Sequence, residues 1–349
     1  MNKLTKILVS LVASFAISFS AFAGELTVTG SAKATYGTVS GKANGDNGLG
    51  VANELTFAAS GELDNGWAWT YKVALDPDTT AGGGNALNDD SALTLKTNVG
   101  TFAVCASDCG LSAALEFSAD AYALMSDTGY GEGKTEPTNI SSYMNMQYHT
   151  PAGLLPFGIV GKVAYATSGD TSLQSSNASN ITPSSTVGST TMYKIETAPI
   201  DGLKVNASYA TQESANAITT DEQDSESGAI AAKYAMGNFT IGYGKAWIAP
   251  RAANGTTAGA TTVEYYENTN YSIGIAVNDQ LSVSFTDETS EPNYQTSTTV
   301  GYDVGAQSIQ AAYTMGGMTL ALARTNYDNV GYSNGADVTE TVLAVSMAF

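Results

Sequence analysis

Hydrophobic and polar residues alternate one by one along many short segments of the chain. In WAWTYKVALD, residues 67–76, aromatic and aliphatic side chains occupy the odd positions, and small or polar side chains occupy the even ones. Successive side chains of a β-strand point to opposite faces, so this alternation predicts a strand with one apolar and one polar face. Sixteen segments are predicted as strands, at about 25–38, 51–63, 66–76, 90–97, 100–106, 139–150, 156–168, 189–198, 202–213, 226–236, 238–248, 262–277, 280–289, 300–315, 317–326 and 339–349.

The connections between these segments alternate between tight and long from one end of the chain to the other. The tight ones carry turn residues, as in DNG at 64–66, NVG at 98–100, PIDG at 199–202 and GG at 316–317. The long ones are rich in Gly, Ser, Thr and acidic residues. Short turns on one side and long loops on the other are typical of an outer-membrane barrel. A secreted β-sandwich, the alternative, gives no reason for this sorting.

The basic residues show which face of the strands meets water. A lysine on the lipid face near the middle of a membrane costs ~2 to 4 kcal/mol, so the strand register is under strong constraint. Seven lysines fall on the polar face, namely Lys33, Lys72, Lys96, Lys162, Lys194, Lys204 and Lys233. The pattern therefore predicts a wet interior and an apolar exterior that meets lipid or a neighbouring subunit. Lys245 and Arg324 fall on the apolar face, either near the membrane surface or beside a bulge that changes the local parity.

The N-terminus has the features of an export signal. Two lysines precede an apolar stretch, and Ala21-Phe22-Ala23 places small residues at the positions that a signal peptidase reads. We expect residues 1–23 to be cleaved, leaving 24–349 as a single domain with 12 basic and 33 acidic side chains. A surface so acidic excludes nucleic acid as a partner.

The chain has few residues suited to catalysis or metal binding. Cys105 and Cys109 are the only cysteines, and in an exported chain they favour a disulfide, with free thiols as the alternative. A metal site would need further ligands, and His149 is the only histidine. We therefore predict neither a cofactor nor a metal, and we expect that the protein is not an enzyme.

The last strand ends in TVLAVSMAF, residues 341–349, which alternates and closes on Phe349. Together with the export signal, the sixteen strands and a very long third loop, it resembles the Gram-negative general porin family. The resemblance implies an all-β fold, a transmembrane antiparallel barrel of sixteen strands whose long third loop folds into the lumen. It also implies a homotrimer in the outer membrane, contact with lipid and lipopolysaccharide, and recognition of Phe349 by the assembly machinery.

The resemblance assigns roles to the charged residues of the third loop, 107–138. LEFSAD, residues 115–120, resembles the Pro-Glu-Phe-Gly-Gly-Asp motif of the family, but Leu115, Ser118 and Ala119 replace its proline and both glycines. The implied pore-facing acids are Glu116, Asp120, Asp108 and Asp127. The family's opposing basic wall must here be built from lysine, namely Lys33, Lys72, Lys162, Lys96 and Lys194. The alternatives are solvated loop charges and lysines that are spread around the barrel.

The favoured function is a water-filled channel for the passive diffusion of small hydrophilic solutes and ions, with weak cation selectivity. A substrate-selective channel of the same strand number is the first alternative, because the sequence names no solute. A surface adhesin or structural barrel is less favoured. The acidic stretch 219–227 lacks the ligand spacing of a calcium loop, so solvated charge is the better interpretation.

Overall fold

A computed structural model describes residues 24–41, 47–75, 90–125, 130–167, 187–214, 221–223, 225–253, 263–295 and 301–349. The predicted signal, residues 1–23, lies outside this described part. The strands are β1 (Glu25–Ser40), β2 (Asn47–Glu62), β3 (Ala68–Leu75), β4 (Ser91–Thr97), β5 (Gly100–Ala106), β6 (Asn145–His149), β7 (Val160–Ala166), β8 (Val187–Ile200), β9 (Leu203–Ser214), β10 (Asp221–Gln223), β11 (Ser225–Met236), β12 (Phe239–Ala249), β13 (Ala252–Ala253), β14 (Val263–Ala276), β15 (Leu281–Tyr294), β16 (Val304–Met315), β17 (Met318–Asp328) and β18 (Val338–Ala348).

Sixteen of these strands form one closed barrel in which every neighbour in the chain is an antiparallel neighbour in the sheet. The barrel closes where β1 pairs with β18, from Ser31 opposite Ala348 to Ser40 opposite Thr339. The remaining two, β10 and β13, pair only with each other. The predicted number of barrel strands is confirmed. Within the described ranges, the structure holds no helix long and apolar enough to cross a membrane.

Two predicted strand segments begin with a short 3-10 turn instead of a strand. The segment predicted at 139–150 begins with a short 3-10 turn, Ile140–Ser142, and its strand covers only Asn145–His149. The segment predicted at 156–168 likewise begins with a 3-10 turn, Pro156–Gly158, before the strand starts at Val160. Ile140 is fully buried in a core cluster with Leu111, so its hydrophobicity serves packing instead of a strand face.

The two faces of the barrel differ sharply in exposure. On β16, Ile309 is 65% exposed, whereas its neighbours Ser308 and Gln310 are 0% and 1% exposed. Buried polar residues recur on the same face of β14, β15, β17 and β18, and exposed large hydrophobic residues on the other. In a closed wall the covered face is the inner one, so the polar face is the inner face and the apolar face is the outer face.

Lys245 and Arg324 lie on the outer face without any local change of register. Lys245 pairs with Ile230 and Thr269, and Arg324 pairs with Ile309, in unbroken ladders. The suggested bulge is therefore wrong. Lys245 contacts Glu267 at 2.7 Å, so this outer-face charge has a carboxylate partner.

Tight turns and long connections alternate around the barrel, as predicted. β8 and β9 are joined by residues 201–202, and β11 and β12 by residues 237–238, whereas β5 and β6 are separated by residues 107–144. Since antiparallel neighbours run in opposite directions, all tight turns lie at one end of the barrel and all long connections at the other. We call these the tight-turn end and the long-loop end.

Candidate functional site

The segment that follows β5, residues 107–138, contacts the inner face over much of the barrel and is called the loop segment below. It starts at a disulfide between Cys105, on β5, and Cys109. Side chains of β6 hold this start in place, because Gln147 donates to the Cys109 carbonyl at 2.6 Å and Asn145 donates to the Asp108 carbonyl at 3.3 Å. The base of the loop segment is thus fixed covalently and by hydrogen bonds.

Further along, the loop segment donates its backbone N–H groups to inner-face side chains. The acceptors are short hydroxyls and one amide on four strands, β9, β14, β15 and β16. The bonds run from Ala113 to Ser208 at 2.9 Å, from Ala119 to Ser272 at 3.0 Å, from Ala121 to Ser284 at 2.8 Å and from Tyr122 to Gln310 at 2.9 Å. Buried N–H groups must be paired, so these acceptors satisfy a segment whose described residues belong to no strand.

Phe117 anchors the middle of the loop segment. Its side chain is 1% exposed and lies against the inner face of β12. A Cβ atom at Gly242 would lie 1.7 Å from the Phe117 carbonyl oxygen, and one at Gly244 would lie 2.9 Å from the Phe117 ring. Two glycines on one strand face therefore create the space that this close approach requires.

A buried charge cluster holds the far end of the loop segment. Lys134, whose side chain is 4% exposed, contacts Glu132 at 2.5 Å and Glu136 at 3.1 Å, and also pairs with Glu288 on β15. Burial and the neighbouring Glu288 raise the pKa of Glu132 to about 7, although Lys134 opposes this change. The three carboxylates outweigh the effect of burial on Lys134 and raise its pKa, so the lysine stays charged.

The structure brings two of the predicted acids into direct contact with predicted lysines. Glu116 accepts from Lys194 at 2.7 Å, and Asp108 lies 3.5 Å from Lys72. Asp120 instead accepts from the hydroxyls of Ser118, at 2.6 Å, and Thr286. Burial raises the pKa of Asp120, and those two hydroxyls limit the rise. Asp127 lies outside the described residues.

The other predicted lysines lie on the inner face in different surroundings. The ammonium of Lys33 is 5.9 Å from the centre of the Tyr122 ring. Lys162 contacts Glu196 at 2.9 Å, and Lys96 is exposed near the tight-turn end. The lysines are therefore distributed over β1, β3, β4, β7 and β8 and do not form one compact cluster.

Sequence reasoning missed the residues that fix the loop segment. Glu196 and Glu288 fall on the inner parity of β8 and β15, so their facing was readable from the strand pattern. Lys134 is the single basic residue in the sequence of the loop segment, which is otherwise rich in acidic residues. No local signal indicates that it is buried, because its partner Glu288 lies 154 residues away in the chain.

The fold and the family are supported by comparison with known proteins. Three solved structures match nearly the whole chain. They are OmpF of Salmonella typhi in complex with daunomycin (TM-score 0.68, 14% identity, 94% of this chain and 98% of that one), an anion-selective porin from Comamonas acidovorans (0.66, 14%, 93% and 100%) and OmpT of Vibrio cholerae with one loop deleted (0.60, 13%, 94% and 100%). At such identities the likeness shows the fold. No curated protein matches the chain in sequence.

The family follows from a different comparison. A family model described as Gram-negative porin matches residues 8–348, which is almost the entire sequence. The sixteen-stranded closed barrel, its polar inner face and its long third connection agree with that match. The chain belongs to the Gram-negative porin family.

Proposed function

We propose that the protein forms a water-filled channel in the outer membrane, through which small hydrophilic solutes and ions diffuse passively. The proposal depends on one observation: some residues of the inner face are buried, whereas others are exposed to water. On β15 and β17, Thr286 and Thr325 are 0% and 1% exposed, whereas the side chain of Lys72 on β3 is 41% exposed. The loop segment covers one part of the wall, including Lys194, whose side chain is 4% exposed, and leaves other parts, such as that around Lys72, open to water.

The loop segment lies within the bore and narrows it. It contacts Lys72 on β3 through Asp108, Lys194 on β8 through Glu116, and Glu288 on β15 through Lys134. A single segment can reach the covered faces of strands so far apart in the sheet only from inside the cylinder. The width that remains between the loop segment and the open wall sets the size limit for solutes.

Ion selectivity is weak because several of the bore lysines are paired with carboxylates. Lys72 with Asp108, Lys194 with Glu116, and Lys162 with Glu196 each bring opposite charges within 3.5 Å. Paired charges present a small net field to a passing ion, so neither cations nor anions gain a large advantage.

The outer face fits a membrane and other copies of the chain. Exposed hydrophobic residues such as Ile241, Ile309 and Leu322 recur on neighbouring strands. We place the protein in the outer membrane as a homotrimer in contact with lipid and lipopolysaccharide, exported through residues 1–23. Phe349 exchanges two backbone hydrogen bonds with Gly30, at 2.8 and 2.9 Å, so the residue offered to the assembly machinery also closes the barrel.

Single-channel recording in planar bilayers, combined with liposome swelling over a series of sugars and amino acids, tests the proposal. We expect discrete conductance steps and swelling rates that fall with solute size without saturation. Saturation by one solute would indicate a substrate-selective channel instead. Folded protein that inserts without conductance would refute the channel.

A matched pair of lysine variants separates the bore from the outer face. Lys72→Gln removes a half-exposed inner charge and should shift the reversal potential in a salt gradient towards cations. Lys245→Gln removes an outer-face lysine that is also paired with a glutamate, and it should leave the reversal potential unchanged. Equal shifts in both variants would contradict the assignment of the inner face to the water path.

A further inference from the structure

Two lysines stand directly opposite each other on the inner face near the tight-turn end. Lys204 on β9 pairs in register with Lys233 on β11. Side chains of directly opposed residues start only ~4.5 to 5.5 Å apart, and like charges in that arrangement destabilise a sheet. Lys204 is exposed to water and Lys233 is partly buried, so water weakens this repulsion, and a nearby carboxylate or a bound anion would offset it further.

A second lysine pair in the same barrel shows how the chain supplies carboxylates. Lys162 and Lys194 also stand directly opposite each other, on β7 and β8. Glu196 lies 2.9 Å from Lys162 and 3.9 Å from Lys194, and Glu116 lies 2.7 Å from Lys194. In the described part of the chain, no carboxylate lies within 4.0 Å of Lys204 or Lys233, so their counter-charge is not provided by such a residue.

The two lysines line a recess of about 490 Å³ between the loop segment and the tight-turn end of the wall. Residues 118–121 form one side, and the ends of β9, β11, β12, β14 and β15 form the other. Lys233 donates one hydrogen bond to the Ser118 carbonyl at 3.1 Å, which leaves its other two N–H groups available. Recesses of this size accommodate small ligands.

The one described carboxylate that lines the recess, Asp120, forms no ion pair with either lysine. Asp120 accepts one hydrogen bond at each of its two oxygens, from the hydroxyls of Ser118 and Thr286. These bonds direct its charge towards the loop segment and β15. Around the recess, two ammonium groups therefore face one carboxylate, and the balance favours an anion.

We propose that this recess binds a small anion with a carboxylate or phosphate group, held between the ammonium groups of Lys204 and Lys233. Three observations support the site: the register that places the two lysines opposite each other, the recess that they line, and the absence of a carboxylate paired with either lysine in the described part of the chain. Its role in transport rests on the proposed function: the anion would pause there, between the loop segment and the tight-turn mouth, before it leaves the bore.

Binding to detergent-solubilised protein tests the site without requiring conductance. Inorganic phosphate and acetate are titrated by calorimetry at low salt, into wild type, the double variant Lys204→Gln/Lys233→Gln, and Lys96→Gln. The last variant removes an inner-face lysine from the same end of the barrel, but the register partners of Lys96 are Ala68 and Thr101. An exposed ion pair contributes up to about fivefold in affinity, so losing both should weaken binding about tenfold or more.

The expected result is saturable binding of phosphate to wild type and Lys96→Gln, and at least about tenfold weaker binding to the double variant. The acetate titration tells a carboxylate ligand from a phosphate ligand. Comparable binding of acetate and phosphate would mean that the site recognises negative charge alone, whereas binding of phosphate without acetate would mean that it recognises the larger oxyanion. No binding to wild type, or equal binding to all three proteins, would overturn the site. A native circular dichroism spectrum of the double variant shows that lost binding is not lost fold.

Bilayer recording then separates the site from the channel. Phosphate added to a conducting channel should reduce the current carried by chloride, and the double variant should need about tenfold more phosphate for the same reduction. Conductance without any effect of phosphate would refute the site and keep the channel. Phosphate binding without conductance would keep the site and refute the channel.

Discussion

Replacing Lys134 by methionine should release the far end of the loop segment. The substitution removes the only positive charge among three carboxylates and leaves Glu132 and Glu288, whose side chains are 3% and 6% exposed, without their counter-charge. Breaking a buried ion pair by removing one partner costs about 3 to 5 kcal/mol. Because each 1.4 kcal/mol is a factor of ten, the local opening constant should rise by roughly two to three and a half powers of ten.

Amide hydrogen exchange of residues 130–138 measures this local opening. The control is Lys245→Met, which breaks a lysine–glutamate pair of 2.7 Å on the outer face, where both side chains are about a quarter exposed. An exposed pair contributes about 0 to 1 kcal/mol, and this one lies on the other side of the wall, so exchange of residues 130–138 should not change. The double variant Lys134→Met/Glu288→Gln should recover part of the protection, because it also removes a carboxylate left without its counter-charge. Unchanged exchange in Lys134→Met would refute the role of this buried charge cluster in holding the far end of the loop segment.

Three further outcomes follow from the same contacts. The pKa of Glu132 is raised from 4.5 to about 7, so the contribution of Glu132 to the attachment of the loop segment is largest below pH 4.5 and falls by about 3 kcal/mol as the pH rises to 7. Amide exchange of residues 130–138, corrected for its intrinsic rate, should therefore rise more steeply over that window in wild type than in Glu132→Gln. Gly242→Ala should push Phe117 away from the wall towards the lumen and reduce single-channel conductance, whereas Gly37→Ala, whose Cβ would meet no atom nearer than 3.9 Å, should not change it. Cys105→Ser removes the covalent base of the loop segment and should lower the free energy of unfolding in urea by about 2 kcal/mol, the loop-closure value for so short a ring, and unchanged stability would contradict a constraining role.

The barrel was predictable because lipid and water enforce opposite requirements on alternate residues. A strand that slipped by one position would move Lys72 or Lys233 to the lipid face, at a cost of ~2 to 4 kcal/mol each. The alternation of apolar and polar residues in the sequence therefore matches the outer and inner faces of the barrel. The prediction was wrong where a segment alternates for another reason. Ile140 is apolar because it packs against Leu111 beneath the loop segment, and periodicity alone does not separate this case from a strand.

The site was only partly predictable because parity gives the face of a residue but not its neighbours. Lys194 and Glu116 were assigned to opposite sides of a constriction, and the structure joins them at 2.7 Å across 78 residues of sequence. Which inner-face residues meet depends on the stagger of the strands and on the path of the loop segment. Neither the stagger of the strands nor the path of the loop segment can be read from the sequence of a single strand.

The composition of the inner wall explains that path. A pore must keep part of its lining wet and must also fix a constriction that has no strand partners of its own. The strands that hold the constriction use short acceptors, so that Ser272 accepts from the N–H of Ala119 and donates to the carbonyl of Phe117 at 3.0 Å. Such residues satisfy the backbone and bring it close to the wall. Inner-face lysines meet the loop segment to different extents: Lys194 contacts Glu116 and is 4% exposed, whereas Lys72 contacts Asp108 and stays 41% exposed. Short hydroxyls on β9, β14 and β15, together with the Gln310 amide on β16, therefore fix where the loop segment lies against the wall.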